Sequence, residues 1–550
     1  MKPVQLRRSL LLLLSTMTLA SCGGGGGGGA VTVTPPTTNP GTGTTTPPAA
    51  PTWVAGQYPA ETTLKNFCAS PRTGTDPFSN SAFPDRAGTA DHEKMWLRSW
   101  SNRTYLWYRE LSDINPASYT TAEYFRLLRT TAITDSGANK DNYHYQENTA
   151  EYKQRTQAGV TSGYGIRWKA GATSPPRDFA IAYTESASPA VAQGLGRGAK
   201  LLEVNGVDFV NDNTQAGVDK INAGLFPAKA GESHQFTFVD PQGNRRTYTL
   251  VSADVPSSPV QNVKVIDSPR GKVGYLQFNT HIANAQPQLI DAISKFRNDN
   301  ISELVVDLRY NGGGLLALAS QFGYMVAGPN VIQNRIFERT QFNDKYPNTD
   351  PITGSALQPM PFYDKRIDYQ AGTLSSDALP TVGLRRVFVL STANTCSASE
   401  AFVNGLRGVD LEVILIGSKT CGKPYGFYPT DNCGVTYSTI QFSGVNAKGF
   451  GDFADGFRPT PAPQFAADVK GCSVADDLTR PLGDSNERMF SAALQYINTG
   501  TCPAPSQTIA QALAVQSSAA AVIRNGLDVR DPNQDDVLNS KIYQPVIQQQ

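Results

Sequence analysis

A serine, a lysine and two glycine-containing turns carry the chemistry this sequence offers. Ser397 lies in Thr395-Cys396-Ser397-Ala398-Ser399-Glu400, and Lys423 closes Thr420-Cys421-Gly422-Lys423, 26 residues further on (423 − 397). A serine hydroxyl is a weak nucleophile until an adjacent base takes its proton. A neutral lysine amine can be that base if burial lowers its pKa from ~10.4 toward the working pH. A shift of about three units corresponds to roughly 4 kcal/mol, which desolvation by apolar neighbours can supply. Cys396 adjoins the serine and offers a thiol as an alternative nucleophile.

The elements that must position these groups are legible around them. The β-branched and apolar run 386–390 predicts a buried strand that ends in a small, polar turn at 391–397. Residues 399–406 carry Phe402 and Leu406 four apart, one helix face, and Gly405 and Gly408 are expected to end that helix. A second strand is predicted over 411–417. In a parallel sheet the ends of the two strands lie side by side, so Ser397 and Lys423 are expected to meet. Ser397 then stands just before a helix N-terminus, and the Ala398 N–H is the natural donor to an oxyanion.

The stretch T-C-S-A-S-E followed by T-C-G-K resembles the carboxyl-terminal processing peptidases, also called tail-specific proteases. Residues 304–316, LVVDLRYNGGGLL, are similar to that family's strand and glycine turn. Residues 163–166 with 188–209 are similar to the PDZ domain those enzymes carry. The order of these stretches carries the resemblance, which covers about 164–426. It implies an α/β catalytic core of ClpP/crotonase-like βαβ units, with an inserted or preceding PDZ β domain and a helical N-terminal domain. It implies a serine endopeptidase that cuts exported proteins near their free C-termini. In that pattern Ser397 is the nucleophile, Lys423 the general base, and Gly313 and Ala398 the oxyanion donors, with no cofactor and no metal. The loop Gly163-Tyr164-Gly165-Ile166 would receive the substrate's terminal carboxylate on its backbone N–H groups. Family members often carry a Gln four residues after the lysine, where this chain has Phe427, and one extra residue separates serine from lysine. Two other readings stand beside this one. His281, in F-N-T-H-I at a predicted strand end, is an alternative base. A catalytically inactive, PDZ-containing lipoprotein that binds tails is the other.

At 550 residues the chain has room for several domains. Its 48 basic and 47 acidic residues leave no basic field, which argues against nucleic acid as a partner. Four histidines without clustered Cys/His spacing argue against a zinc site. Residues 1–22 read as a lipoprotein signal: Lys2, Arg7 and Arg8, a short apolar run, then Leu19-Ala20-Ser21-Cys22. That ending looks like a bacterial lipobox in which Cys22 is acylated and anchors the protein to a membrane. Gly23 in place of Asp implies sorting to the outer membrane, facing the periplasm. Residues 23–57 are a Gly/Thr/Pro-rich tether.

Further along, 58–155 reads as a helical N-terminal domain. Helices are expected over 92–112, with Trp96, Trp100 and Trp107 on one face, and over 121–129, with Tyr124, Leu127 and Leu128 inward. The PDZ domain is assigned to 156–255 and the serine peptidase domain to 256–475. Within the latter, the Pro-rich stretch 334–385 is expected as an irregular excursion over the site. Residues 476–550 are assigned to C-terminal helices, over 487–497 and 509–524, and a tail. In an oxidising compartment the six cysteines after Cys22 predict disulfides. Cys472–Cys502 and Cys421–Cys433, which close local loops, are the expected pairs. Mass spectrometry of the N-terminal peptide checks the lipobox: a mature protein starting at acylated Cys22 is expected, and a free start downstream of Cys22 rules it out.

Overall fold

Short runs of apolar residues build the sheet on which everything else rests. The computed structural model describes residues 49–134, 136–504 and 526–532, all within the unit Pro47–Gln550. Cys22, the signal and most of the tether, the helix expected over 509–524 and the tail beyond 532 lie outside the described residues. The central sheet runs in the order Val260–Ser268, Gly271–Phe278, Glu303–Asp307, Arg386–Ser391, Glu412–Gly417, Asp468–Ser473, Arg458–Thr460. From Gly271–Phe278 onward every neighbour is parallel. Parallel strands are covered on both faces, which explains their unbroken apolar sequences.

Odd and even positions separate cleanly between the two faces. Leu304, Val306, Val387, Val389, Val413 and Leu415 pack with the helices Ala285–Asn298, Leu316–Ala327 and Ala398–Gly408. Val305, Phe388, Leu390, Ile414 and Ile416 pack with Arg488–Thr499 on the other side. Phe322 and Phe402 stack with centroids 4.8 Å apart, joining two helices of the first face. Each such buried side chain contributes ~1.5–3 kcal/mol.

A second, antiparallel sheet forms a separate β unit. Its order is Arg245–Val251, Ser233–Val239, Lys200–Val204, Asp178–Thr184, Ile166–Ala172, with Val207–Asp208 beside the middle strand. Asn205 and Gly206 both have positive φ, the two-residue turn that an Asn-Gly pair favours. The helix Gln215–Leu225 buries Val218 and Ile221 against the sheet.

Several local expectations are corrected. The helix expected over 92–112 is Ala90–Thr104. It stops because the Leu106 N–H leaves the helical ladder for the Ile440 carbonyl at 2.8 Å. Trp96 and Trp100 stack at 5.2 Å as expected, but Trp107 lies past the helix end and packs on Tyr425 at 4.8 Å. Around Thr121–Leu127, Tyr124 and Leu128 are buried as expected and Phe125 joins them, while Leu127 is exposed. The stretch 334–385 is not irregular throughout. Ile336–Phe342 pairs with Phe442–Val445, and Lys365–Asp368 with Thr373–Ala378. Of the expected disulfides, Cys472–Cys502 forms and Cys421–Cys433 does not. Cys433 reaches Cys68 across 365 residues, and Cys421 bonds Cys396. Chain proximity was the wrong guide, because the hairpin Thr430–Asn432/Val435–Ser438 lies beside Asn66, whose N–H donates to Asn432 Oδ1 at 2.8 Å.

Gly405 does not end its helix; it sits inside it. A Cβ there would lie 2.5 Å from the Phe337 ring, so the missing side chain admits that aromatic. In an open helix Gly→Ala gains up to ~1 kcal/mol, whereas overpacking costs ~1–3 kcal/mol. Gly405→Ala is therefore expected to destabilise the protein by about 1–2 kcal/mol, read from the midpoint of urea unfolding. A raised midpoint would contradict the packing argument.

Candidate active site

Ser397 sits where the strand Arg386–Ser391 turns into the helix Ala398–Gly408. Its backbone has φ 61°, ψ −107°, a region that L residues with a side chain rarely adopt. Such strain persists only where surrounding contacts over-determine it, and it gathers at functional sites. The residue is fully buried, and its Oγ makes no hydrogen bond among the described residues.

The contact that holds the turn is Glu400, one helical turn on. Its Oε2 accepts the Ser397 N–H at 2.8 Å and the Lys423 N–H at 2.8 Å. Its Oε1 accepts the Gly422 N–H at 2.8 Å and the Thr420 hydroxyl at 2.6 Å. One carboxylate oxygen thus touches the amides of both predicted residues, so those nitrogens lie within twice 2.8 Å of one another. Burial pushes the Glu400 carboxyl up from its ordinary range, and the four hydrogen bonds pull it back. The disulfide Cys396–Cys421 crosses between the same two turns. The Cys396 sulfur is therefore engaged in a bridge, which corrects the alternative of a thiol nucleophile. Among the described residues Cys396, Glu400 and Cys421 are the one grouping of metal-ligating types, and both sulfurs are held in that bridge.

Lys423 is fully buried. Its Nζ lies 4.7 Å from the centroid of the Tyr143 ring and 4.9 Å from that of Phe427. Tyr143 donates its hydroxyl to the Gly422 carbonyl at 3.2 Å. Phe427, in the position where a Gln was expected, thus presents a ring face rather than an amide to the lysine. Tyr143 belongs to a segment that sequence reading placed in a separate domain and did not connect with the site.

His281 is buried at the glycine turn. Its Nδ1 is 3.0 Å from Asn311 Oδ1. Asn311 Oδ1 also accepts the Gly313 N–H at 2.9 Å, while its Nδ2 donates to the Phe278 carbonyl at 2.9 Å. The amide's orientation is set by those two bonds, so His281 Nδ1 is the donor and Nε2 carries the lone pair. Nε2 makes no hydrogen bond among the described residues, and burial pushes the ring down from the ordinary histidine range to about 4. His281 therefore bonds to Asn311, not to Ser397. The Asn311 carbonyl in turn accepts the Cys396 N–H and the Ser399 hydroxyl, each at 3.0 Å, tying the glycine turn to the serine turn. The Gly313 N–H, expected as an oxyanion donor, is engaged by Asn311 in this structure. Ala398 is the first residue of its helix, where the ladder leaves N–H groups without a carbonyl. A cleft of about 1700 Å³ reaches His281 and the glycines 312–314, and Ser397 and Lys423 do not line it.

Arg309, just before the glycine turn, is fully buried. It pairs with Asp307 at 2.9 Å, Asp476 at 2.9 Å and Glu487 at 3.0 Å. Arg197 of the β unit bonds Asp476 and the Tyr310 hydroxyl, both at 2.7 Å. Neither arginine stood out in the sequence, because nothing local marks a charge as buried.

In the loop 163–166, Gly165 has φ 70°, and a Cβ there would lie 2.2 Å from that of Ser188. Glycine is required on both counts. Tyr164 points into the β unit's core, its hydroxyl donating to the Gly224 carbonyl at 3.0 Å. Ile166 opens the edge strand of the β sheet and is partly buried against the same core.

Residues 272–428 match the family model of peptidase family S41. The chain is 23% identical over 237 residues to a carboxyl-terminal-processing protease of Picosynechococcus sp., covering 43% of this chain and 48% of that protein. It is 29% identical over 173 residues to CtpA-like serine proteases of Staphylococcus aureus, covering 32% of this chain and 27% of theirs. The chain thus spans about half the length of the first relative and about a quarter of the second. A solved structure named for the S41 proteases, from Bacteroides fragilis, superposes with a TM-score of 0.53 at 23% identity, covering 74% of this chain and 97% of that one. The fold is that of the S41 proteases, with mixed α/β content.

Glu400→Gln tests the clamp. Whichever way the amide turns, an NH2 group faces at least one buried N–H that had an acceptor. Each orphaned buried donor costs ~1–3 kcal/mol. A loss of about 2 kcal/mol or more in urea unfolding is expected, and an unchanged midpoint would show that the carboxylate does not hold the two turns.

Proposed function

We propose that the protein is a serine endopeptidase that cleaves exported proteins near their C-termini, with Ser397 as nucleophile and Lys423 as general base. The observation that carries the reading is the single Glu400 oxygen accepting the amides of both residues inside the stretch that matches peptidase family S41. The relatives named as carboxyl-terminal-processing and CtpA-like proteases support it.

Catalysis follows from ordinary acyl transfer. Ser397 Oγ attacks the scissile carbonyl carbon as its proton passes to the neutral Lys423 amine. The negative oxygen that forms is received by the Ala398 N–H and by the Gly313 N–H, once the latter exchanges Asn311 Oδ1 for the oxyanion. Lys423 then protonates the leaving amine, the C–N bond breaks, and a serine ester remains. Water, deprotonated by the same lysine, hydrolyses the ester. The faces of Tyr143 and Phe427 position the amine where other family members use an amide. The β unit 156–255 is read as a PDZ domain that receives the substrate's free C-terminus at 163–166. The lipobox at Cys22 places the enzyme on the outer membrane, facing the periplasm.

A second reading is a tail-binding protein without hydrolysis. It is favoured by the Gly313 N–H being held by Asn311 and by the unpartnered Ser397 Oγ. A serine-directed fluorophosphonate decides between them, since only the peptidase is labelled, and only with Ser397 present.

Ser397→Ala and Lys423→Ala are each expected to lower peptide cleavage at least ~10³-fold with the fold intact by circular dichroism. His281→Ala should be mild. The pH–rate profile identifies the base. With its ring near pH 4, a His281 base would be neutral and fully active from about pH 5 upward, losing activity only in acid. A lysine base loses its proton at higher pH, so the rate should climb through neutral and alkaline pH. A profile flat above pH 5, together with an active Lys423→Ala, would transfer the role to His281.

A further inference from the structure

The β unit already holds a peptide, and it comes from the chain itself. Residues 526–532 lie against it, with contacts on a strand side and a helix side. On the strand side, the Val529 N–H donates to the Thr173 carbonyl at 3.1 Å, one residue beyond the edge strand Ile166–Ala172. The Thr173 hydroxyl donates to Asp528 Oδ1 at 2.9 Å, and Arg177 Nη2 donates to the Leu527 carbonyl at 2.7 Å. On the helix side, Asn213 Oδ1 accepts the Leu527 N–H at 2.6 Å, and Asn222 Oδ1 accepts the Arg530 N–H at 3.0 Å. The Arg530 guanidinium lies 4.7 Å from the centroid of the Phe226 ring, at the end of the helix Gln215–Leu225. Val529 is 2% exposed and joins the apolar cluster of Tyr164, Trp168, Val218 and Ile221.

The direction is informative. Leu527 is held before the helix begins, Arg530 near its end, so the segment runs alongside the helix, with a backbone bond just past the end of the edge strand. An edge strand beside a helix receives extended peptides in this way: backbone bonds give affinity and one buried side chain gives selectivity. The side chain taken here is β-branched and apolar, flanked by an acid and a base.

We propose that residues 526–530 are an internal ligand of the β unit, seated in the groove that receives substrate tails, and that a tail must displace them to bind. This rests on the reading of the β unit as the tail-binding domain. An internal segment competes at the high effective concentration of a tethered ligand. The apparent affinity for an outside peptide then falls by the fraction of molecules whose groove is open. A free-ended peptide brings a terminal carboxylate that the internal segment lacks, which is what allows exchange. The groove is expected to select peptides ending in a β-branched apolar residue, and basal tail binding is expected to be weak.

The test measures binding alone. The probe is a fluorescein-labelled peptide with the sequence of residues 524–529, ending in a free carboxylate. It is titrated by anisotropy against the full chain carrying Ser397→Ala, so that nothing is hydrolysed. Adding Val529→Asp, which unseats the segment, is expected to tighten binding at least five-fold. In the protein that keeps Val529, hydrogen exchange should find the amides of Leu527, Val529 and Arg530 protected, and saturating peptide should expose them. Equal affinity with and without Val529→Asp overturns the proposal, as does continued protection of those amides at saturation, or no binding to either protein. If Val529→Asp unfolds the β unit, the exchange measurement decides alone. Because no arm reads cleavage, failure here leaves the peptidase reading to stand or fall on the Ser397 and Lys423 variants.

Discussion

Glu400 is buried among groups that all donate to it, and the two turns of the site depend on that. A carboxylate with no solvent must be supplied with hydrogen bonds, since burying an ionised group without partners costs many kcal/mol. Here the donors are the Ser397, Gly422 and Lys423 amides and the Thr420 hydroxyl. The need to satisfy one charge therefore forces two loops, far apart along the chain, to close on a common point. The positive φ of Ser397 is tolerable because the clamp and the Cys396–Cys421 bridge both hold the turn.

A second buried charge does the same work at the other end of the glycine turn. Arg309 is surrounded by Asp307, Asp476 and Glu487, which belong to three different parts of the chain. Removing one partner of such a set leaves an uncompensated buried charge, so the group behaves as a unit. Asp476 is shared with Arg197, which docks the β unit on the same cluster. Asn311 completes the connection through neutral bonds, reaching His281, Gly313, Cys396 and Ser399. The site is thus a set of turns tied together from beneath, with aromatic side chains of 105–145 and 425–440 laid over them.

That cover gives Lys423 its surroundings. Tyr143 and Phe427 offer it ring faces, with centroids 4.7 and 4.9 Å from its Nζ.

Much of this was legible in the residues. The strands around 386 and 411, the helix between them and the order of the serine, glycine and lysine turns follow from local pattern, because β-branched runs, helical spacing and turn residues act over a few neighbours. Glu400 and its four donors all stood in the two quoted motifs, yet their pairing did not, since a hydrogen-bond acceptor shows its type in sequence and its donors only in space. The same reason hid Arg309, Asn311 and Tyr143. The misplaced pairing of Cys421, the early end assigned to the helix at Gly405 and the excess length given to the helix at Trp107 share a cause. Each was decided by a contact across the fold: Cys396 beside Cys421, the Phe337 ring over Gly405, and the Ile440 carbonyl taking the Leu106 N–H. The sequence by itself determined which elements form and which side chains have chemistry to offer. The tertiary structure alone decided which of them share a buried charge, because burial and its compensation are properties of the packed whole.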